Sequence, residues 1–489
     1  MAIRFLIALF AGKLTRLLFK LLGREGGTWP GEIALRIDPT ILRHFSEQFQ
    51  AKGGSTIRQL ADGMTDKRII LIAGTNGKTT TAKMIETILR ENGKSVFHNE
   101  SGANLDNGIV SSFLKASDWR GKVQADYCIF EVDEAMLPKI VESVQCPAER
   151  DLASPEKVES ESKNNSSLII VLLNLFRDQL DRYGEVDTIA EKWLEALTRH
   201  AELDFSSALR RIPGQARNDE SYSTVVINAD DPHLAFIGSK LSGSVAYFGL
   251  DDTSLYSTKI EHATDSIYCP NCGGRLTFGG VYFAHLGKWS CGNCGFTHPK
   301  VALSGKDVSS PLSGLYNRYN AMAAALVCRS LGMNLVDIQS CLKHFRPAFG
   351  RQETIEKNGK KIKILLSKNP VGFNESLRTA LSEGAKHFFF VLNDRIPDGR
   401  DVSWIWDVDF EMLRQDKPII TISGDRMFDL ALRLKYAGLP VSQTKVYRSL
   451  EESIGAALEA APSDEYLWIL PTYSAMLEVR QLLTGKKIL

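Results

Sequence analysis

The stretch Arg68-Ile-Ile-Leu-Ile-Ala-Gly-Thr-Asn-Gly-Lys-Thr-Thr-Thr81 constrains what this chain can fold into more than any other. Five apolar residues, Ile69 to Ala73, predict a strand buried on both faces of a parallel sheet. A glycine turn follows. Lys78 and three threonines then open a run at helical spacing, Ala82-Lys-Met-Ile-Glu-Thr-Ile-Leu89. Strand, glycine loop and helix in that order make a phosphate cradle. Loop N–H groups point at the phosphates, and the helix N-terminus adds positive potential. The residues concerned are Gly74, Thr75, Asn76, Gly77, Lys78, Thr79 and Thr80. Lys78 would span the outer phosphates, and the Thr79 hydroxyl would ligate magnesium. The motif is a variant, because a strict one has glycine where this chain has Ile72. A merely structural glycine turn would leave Lys-Thr-Thr at the helix start without a reason.

At 489 residues the chain exceeds one ordinary domain, and two or three are expected. A formal net charge of +1 argues against bulk nucleic-acid binding. Eight cysteines are too few for a disulfide scaffold. Four of them fall in two Cys-x-x-Cys pairs, which points to a reducing, cytoplasmic compartment and a metal. Ile3 to Leu22 is long enough to span a bilayer, but Lys13, Arg16 and Lys20 interrupt it on one helical face. No small-residue cleavage site follows. The pattern predicts a basic amphipathic helix, either packed on the protein or lying at a membrane surface, peripheral to its inner face.

Ala125 to Glu131 and Leu168 to Asn174 predict two more strands, each with acids at or just beyond its C-terminal end. Ligands bind at that edge of open α/β sheets. Glu131 is the second candidate magnesium ligand, since the ion takes one or two carboxylates with phosphate oxygens and water. The bland alternative is a turn acid. Ala148 to Ser167 and Ser206 to Ser223 are polar and aperiodic, and read as exposed insertions. A further strand from Thr224 ends in Asn228-Ala-Asp-Asp231.

Cys269-Pro-Asn-Cys272 and Cys291-Gly-Asn-Cys294 are the strongest metal signal. Four thiolates at this spacing give a closed tetrahedral zinc site, structural rather than catalytic, with a redox pair as the alternative. Cys128, Cys146, Cys328 and Cys341 lack such partners. A small-residue helix follows Asn317 and Asn320, and Gly350-Arg351 suggests a hinge into a second parallel α/β unit. The expected division is residues 1–55 as helix and lead-in, 56–345 as a central nucleotide-binding domain with a zinc ribbon at about 266–299, and 346–489 as a Rossmann-like α/β domain.

Taken in order, Gly74-Thr-Asn-Gly-Lys-Thr-Thr80, Glu131, Asn228-Ala-Asp-Asp231, Asn317, Asn320 and Gly350-Arg351 resemble the Mur ligase family of ATP-dependent amide-forming enzymes. Three segments narrow the resemblance: Asn174-Leu-Phe-Arg-Asp-Gln-Leu-Asp-Arg-Tyr183, Lys368-Asn-Pro-Val-Gly-Phe-Asn-Glu375 and Asp398-Gly-Arg-Asp-Val-Ser-Trp-Ile-Trp-Asp407. With the four cysteines, they are similar to the MurT type, the synthetase subunits of lipid II isoglutaminyl synthase. That resemblance implies a Mur-ligase-like fold and binding of ATP by the loop together with Asn228, Asn317 and Arg351. It implies catalytic roles for Lys78 and Glu131, with Mg2+ at Thr79 and Glu131. It implies phosphorylation of the D-glutamate α-carboxylate of lipid II, then attack by ammonia from a separate GatD-type glutaminase in a heterodimer. An aspartate, Asp398 or Asp401, would complete the partner's catalytic triad.

This chain departs from amino-acid-adding Mur ligases at Gln179, where they usually carry histidine, and Lys192 falls near a lysine that many relatives carbamylate. Two other classes remain open on sequence alone. One is a stand-alone Mur-type ligase joining an amino acid to a peptide or folate-like acceptor. The other is a zinc-ribbon nucleotide-binding module without catalysis. Ammonium-dependent ATP turnover separates the first two readings, and any turnover with acceptor removes the third.

Overall fold

A computed structural model describes residues 3–23, 26–49, 67–99, 103–144, 168–178, 186–209, 224–242, 244–257 and 261–486. Both polar insertions fall largely outside the described residues, as does Gln179. The strands are β1 Arg68–Ala73, β2 Val96–His98, β3 Tyr127–Glu131, β4 Leu168–Leu172, β5 Thr224–Asn228, β6 Ser244–Gly249, β7 Leu276–Phe283, β8 Leu286–Cys291, β9 Leu303–Ser304, β10 Arg351–Lys357, β11 Lys360–Leu365, β12 His387–Val391, β13 Ile419–Ser423, β14 Thr444–Val446 and β15 Tyr466–Pro471.

The first sheet runs β2-β3-β1-β4-β5-β6-β9, and all its pairs are parallel. β1 lies between β3 and β4, which explains its unbroken apolar run. The pleat sends alternate residues into two separate cores. Ile70 and Ile72 pack with Ile169 and Val171 under the helices Lys78–Glu91 and Leu315–Ser330. Ile69, Leu71 and Ala73 pack on the opposite face with Phe5, Leu9, Phe45 and Phe113. That second layer holds the helices Ile3–Leu21, Trp29–Ile37 and Asp106–Ala116. Among the described residues no helix is long and apolar enough to cross a membrane.

The second sheet runs β10-β11-β15-β12-β13-β14. It is not wholly parallel, as its sequence suggested. β10 pairs antiparallel with β11, while β11, β15, β12, β13 and β14 are parallel to their neighbours. The hinge expected at Gly350-Arg351 is the start of this edge strand. Asn358 and Gly359, at φ 52° and 73°, make the two-residue turn that closes the β10–β11 hairpin. The long polar loop after β12 also differs. Val402, Ile405, Val408 and Phe410 are buried in the core of this sheet, and short 3-10 turns at Ser403–Asp407 and Phe410–Arg414 carry them there.

Helices of the first sheet approach closely through glycine. A Cβ on Gly31 would stand 1.8 Å from the Asn107 carbonyl oxygen, whereas one on Gly455, in the helix Leu450–Ala460, meets nothing within 4 Å. Gly31→Ala should therefore lose about 3 kcal/mol by overpacking. Gly455→Ala should gain about 1 kcal/mol from helix propensity. Urea midpoints of the two variants test this, and equal shifts would contradict it.

Candidate active site

The loop after β1 depends on two left-handed glycines. Gly74 has φ 143°, and Gly77, at the N-cap of the helix Lys78–Glu91, has φ 93°. Neither has room for a side chain. A Cβ on Gly77 would stand 2.1 Å from Asn320 Oδ1, and one on Gly74 would stand 2.9 Å from Leu173 Cβ. No side chain caps this helix, so its first-turn N–H groups keep their capacity for an anionic guest. Asn174, just beyond β4, clasps the loop. Its Nδ2 donates to the Asn76 carbonyl at 3.0 Å, and its Oδ1 accepts the Asn76 N–H at 2.9 Å. The Thr75 hydroxyl donates to the Phe176 carbonyl at 3.1 Å and accepts the Phe176 N–H at 3.0 Å.

Charges converge beside the loop. Lys78 Nζ donates to the Gly74 carbonyl at 2.6 Å and to Glu134 Oε1 at 2.8 Å. The Thr79 hydroxyl donates to Glu131 Oε2 at 2.7 Å. His98, on β2, lies between two carboxylates, 3.2 Å from Glu131 and 3.6 Å from Glu86. Burial alone would lower its pKa, but hydrogen bonds to Glu131 and Glu86 raise it to about 9, so the ring is a cation at neutral pH. Burial opposes ionisation of Glu131 as well. Hydrogen bonds from His98 and Thr79 outweigh it and hold the carboxyl below its ordinary range. Glu131 and Thr79 are thus adjacent oxygen donors of the kind magnesium takes.

The second sheet closes the cleft. Lys368 forms an ion pair with Asp178, beyond β4. Burial raises the Asp178 pKa against the pull of Lys368. The side-chain amides of Asn369 and Asn76 exchange hydrogen bonds at 3.1 and 3.3 Å. Asn369 also caps the helix Pro370–Ser382. Thr79, Lys78, Glu131, Asp178, Arg351 and Lys368 line one cleft. An adjoining slot is lined by Phe176, Phe283, Leu286, Tyr316, Asn317 and Asn320, with Arg351 shared between the two.

Most of the residues singled out in the sequence meet at this cleft, and some do not. Gly77, Lys78, Thr79, Glu131, Asn317 and Arg351 line it or its slot. Asn228 is elsewhere: its amide donates to the Leu173 carbonyl at 2.9 Å and accepts the Asp230 N–H at 3.1 Å, both backbone groups. Its neighbours Asp230 and Asp231 fasten the cysteine hairpin. Asp230 accepts from Tyr319 and from the Leu250 N–H and lies 2.8 Å from His298 Nε2, while Asp231 lies 3.4 Å from His285 Nε2. Lys192 is exposed on the helix Val186–Leu209. Asp398 is buried, and both its oxygens accept hydrogen bonds from Ser474. Asp401 is exposed and accepts the Ser403 N–H at 2.8 Å. Sequence reasoning gave no role to His98, Glu134, Asn174 or Lys368. The last two sit inside quoted motifs, but His98, alone on a three-residue strand, carries no local signal.

The four cysteine sulfurs lie within 4.8 Å of one another, with Cys269–Cys294 at 3.7 Å and Cys272–Cys291 at 3.6 Å. Sulfurs 2.3 Å from a tetrahedral zinc ion are about 3.8 Å apart, so the donors fit that metal. Gly273 and Gly295, at φ 72° and 74°, make the two knuckle turns. The cluster closes the base of the β7–β8 hairpin, whose far end supplies Phe283 and Leu286 to the slot.

The fold and cleft define a phosphate-loop ligase of the Mur type. Solved structures agree on the fold. A pseudomurein peptide ligase type C from Methanothermus fervidus superposes at a TM-score of 0.58 with 20% identity, over 88% of this chain and 81% of that one. MurF from Acinetobacter baumannii gives 0.56 with 17% identity, over 93% and 80%. Residues 72–149 match the Mur ligase middle domain, and residues 366–476 match the MurT ligase C-terminal family. The lipid II isoglutaminyl synthase (glutamine-hydrolyzing) subunit MurT of Streptococcus pneumoniae is 30% identical over 99% of this chain and 97% of its own length. The Staphylococcus aureus (strain COL) subunit of the same name is 31% identical over 89% and 88%. The chain belongs to the MurT family and is, like its members, a ligase.

Purified, reduced protein should contain about one zinc per chain. Cys291→Ser should lower the melting temperature by several degrees and raise the KM for ATP more than it lowers kcat, because the hairpin that lines the slot loosens. Metal analysis without zinc, or an unchanged KM in a destabilised variant, would contradict this.

Proposed function

We propose that this chain is the ATP-dependent synthetase half of a lipid II isoglutaminyl synthase in peptidoglycan biosynthesis. The observation that carries the reading is the meeting of Lys78, Thr79 and Glu131 with Arg351 and Lys368 across one cleft. Phosphate-loop and acidic groups come from the first sheet, and anion-binding cations come from the second. ATP would lie with its phosphates on Gly74 to Thr80 and its base in the slot of Phe176, Tyr316 and Asn317. Arg351, shared by cleft and slot, suits ATP, and Lys368 suits the acceptor's carboxylate, the α-carboxylate of D-glutamate in the stem peptide.

A carboxylate oxygen attacks the γ-phosphorus. The new O–P bond forms as the bond to ADP breaks. Lys78 exchanges Glu134 for the phosphate oxygens and spreads their charge through the transfer. Glu131 and Thr79 would hold Mg2+, which supplies charge neutralisation on the phosphates. Ammonia then attacks the acyl carbon, the bond from that carbon to the phosphate oxygen breaks, and the departing phosphate takes the nitrogen's extra proton. Zinc at the four cysteines has no part in these steps and serves the hairpin.

The reading takes residues 56–345 as the ATP-binding domain and 346–489 as the second domain. It also takes a GatD-type glutaminase as the ammonia source in a heterodimer, at the cytoplasmic face of the membrane where a lipid-linked acceptor is found. Asp401 suits the role of orienting the partner's catalytic histidine better than Asp398 does. Asp401 is exposed with one oxygen uncommitted, whereas Asp398 spends both on Ser474.

Amidation of detergent-solubilised lipid II tests these assignments. The chain alone should use a high ammonium concentration and ignore glutamine. Lys78→Ala should lose at least a thousandfold with either nitrogen source, by loss of transition-state charge stabilisation. Asp401→Ala should abolish glutamine use in the complex and spare ammonium use. Ammonium-independent addition of an amino acid would sink the reading, and equal loss of both activities in Asp401→Ala would remove its triad role.

A further inference from the structure

The helix Ile3–Leu21 is apolar on two opposite sides. Phe5, Ala8, Leu9 and Gly12 are buried against the rest of the protein. At 100° per residue, Ile3, Ile7, Phe10, Leu14, Leu17 and Leu21 fall on the far side. They are exposed: Ile3 by 77%, Phe10 by 59% and Leu21 by 76%. The ridge continues into Trp119, 59% exposed, whose ring centroid is 5.9 Å from that of Phe10. A contiguous apolar surface of this length needs a partner.

The helix itself carries charges of one sign, with Asp118 of the neighbouring loop beside Lys13. Residues 3–23 contain Arg4, Lys13, Arg16 and Lys20 and no acid. Lys13, Arg16 and Lys20 lie along one flank of the ridge. Lys13 Nζ also donates to the carbonyls of Leu114 and Ser117, at 2.7 and 2.6 Å, which pins the helix to the sheet layer beneath.

We propose that this ridge seats the protein on an anionic lipid bilayer, with the helix in the plane of the interface and its outer face among the acyl chains. Opposite charge favours this occupant. A second copy of the chain would set Arg16 and Lys20 beside further cations rather than opposite charge in a two-fold contact, whereas acidic phospholipid headgroups complement them. Lys and Arg stems can follow apolar surface while their charges reach the headgroups, and an indole beside the ridge suits the same boundary. The inward face holds the helix folded before it meets lipid, so binding carries no coil-to-helix cost of the kind a free amphipathic peptide bears. The inference rests on the proposed function only for which membrane is used. There it would bring the cleft to the surface that carries a lipid-linked acceptor.

Flotation of the full-length chain with vesicles tests it. Wild type should float with vesicles containing phosphatidylglycerol and bind pure phosphatidylcholine vesicles at least tenfold less. Ile7→Glu/Phe10→Glu/Leu17→Glu should lower the bound fraction at least tenfold at an unchanged melting temperature. Arg16→Glu/Lys20→Glu, which leaves the apolar ridge intact, should weaken binding at low salt and lose little more at high salt. Wild type that stays with the soluble fraction, or a triple variant that floats as wild type does, overturns the proposal. So does a dimer in solution that the triple variant splits, which would give the ridge to a second copy. So does a triple variant that floats normally but no longer co-purifies with a glutaminase subunit. Amidation of detergent-solubilised lipid II should be equal in wild type and the triple variant. If neither amidates while wild type floats, the proposed function fails and the bilayer contact stands.

Discussion

The side chain of Asn174 holds both backbone polar groups of Asn76, and the rest of the site depends on that clasp. It joins the end of β4 to the loop after β1, so two neighbouring parallel strands set the loop's shape. The loop can take that shape only because Gly77 lacks a Cβ, where Asn320 Oδ1 comes within 2.1 Å of the space a Cβ would fill. Asn320 belongs to a helix of the same core that covers Ile70 and Ile72. Packing of the core helix on the sheet and the shape of the loop are therefore one constraint. A change that slides that helix moves the loop.

The same economy governs the charges. Glu131, His98 and Glu86 form a buried chain in which burial disfavours every charge and mutual hydrogen bonds restore each one. Its outcome is a carboxylate of fixed orientation next to the Thr79 hydroxyl. Across the cleft, Lys368 and Asn369 open the helix Pro370–Ser382 and touch Asp178 and Asn76. The two sheets thus meet through polar side chains on the loop itself, so a guest there touches both at once.

Much of the first sheet was legible because a strand buried on both faces is a bare apolar run, and β1 is followed at once by its glycine loop. The Cys-x-x-Cys pairs were legible for a like reason, since each knuckle is local in sequence. What the chain hides is non-local. His98 reaches Glu131 across a strand pair, and nothing in Val-Phe-His at β2 announces it. A polar residue at a strand end has two uses, and at Asn228 the amide serves backbone groups. β10 was passed over because it is polar and largely charged, with a single large apolar residue, Ile355, although Asn358-Gly359 is a hairpin turn in plain sequence. The N-terminal helix split the difference between its two readings. It packs on the protein through Phe5 and Leu9 and still presents a second apolar side.

The central claim is that the cleft joins an acceptor carboxylate to phosphate before nitrogen enters. It is tested most directly with acceptor carrying 18O in the α-carboxylate of its D-glutamate, ATP and ammonium. An acyl phosphate transfers one labelled oxygen to inorganic phosphate for each amide formed, and mass spectrometry of the released phosphate should find it there. Unlabelled phosphate, or label carried into AMP, would contradict the account.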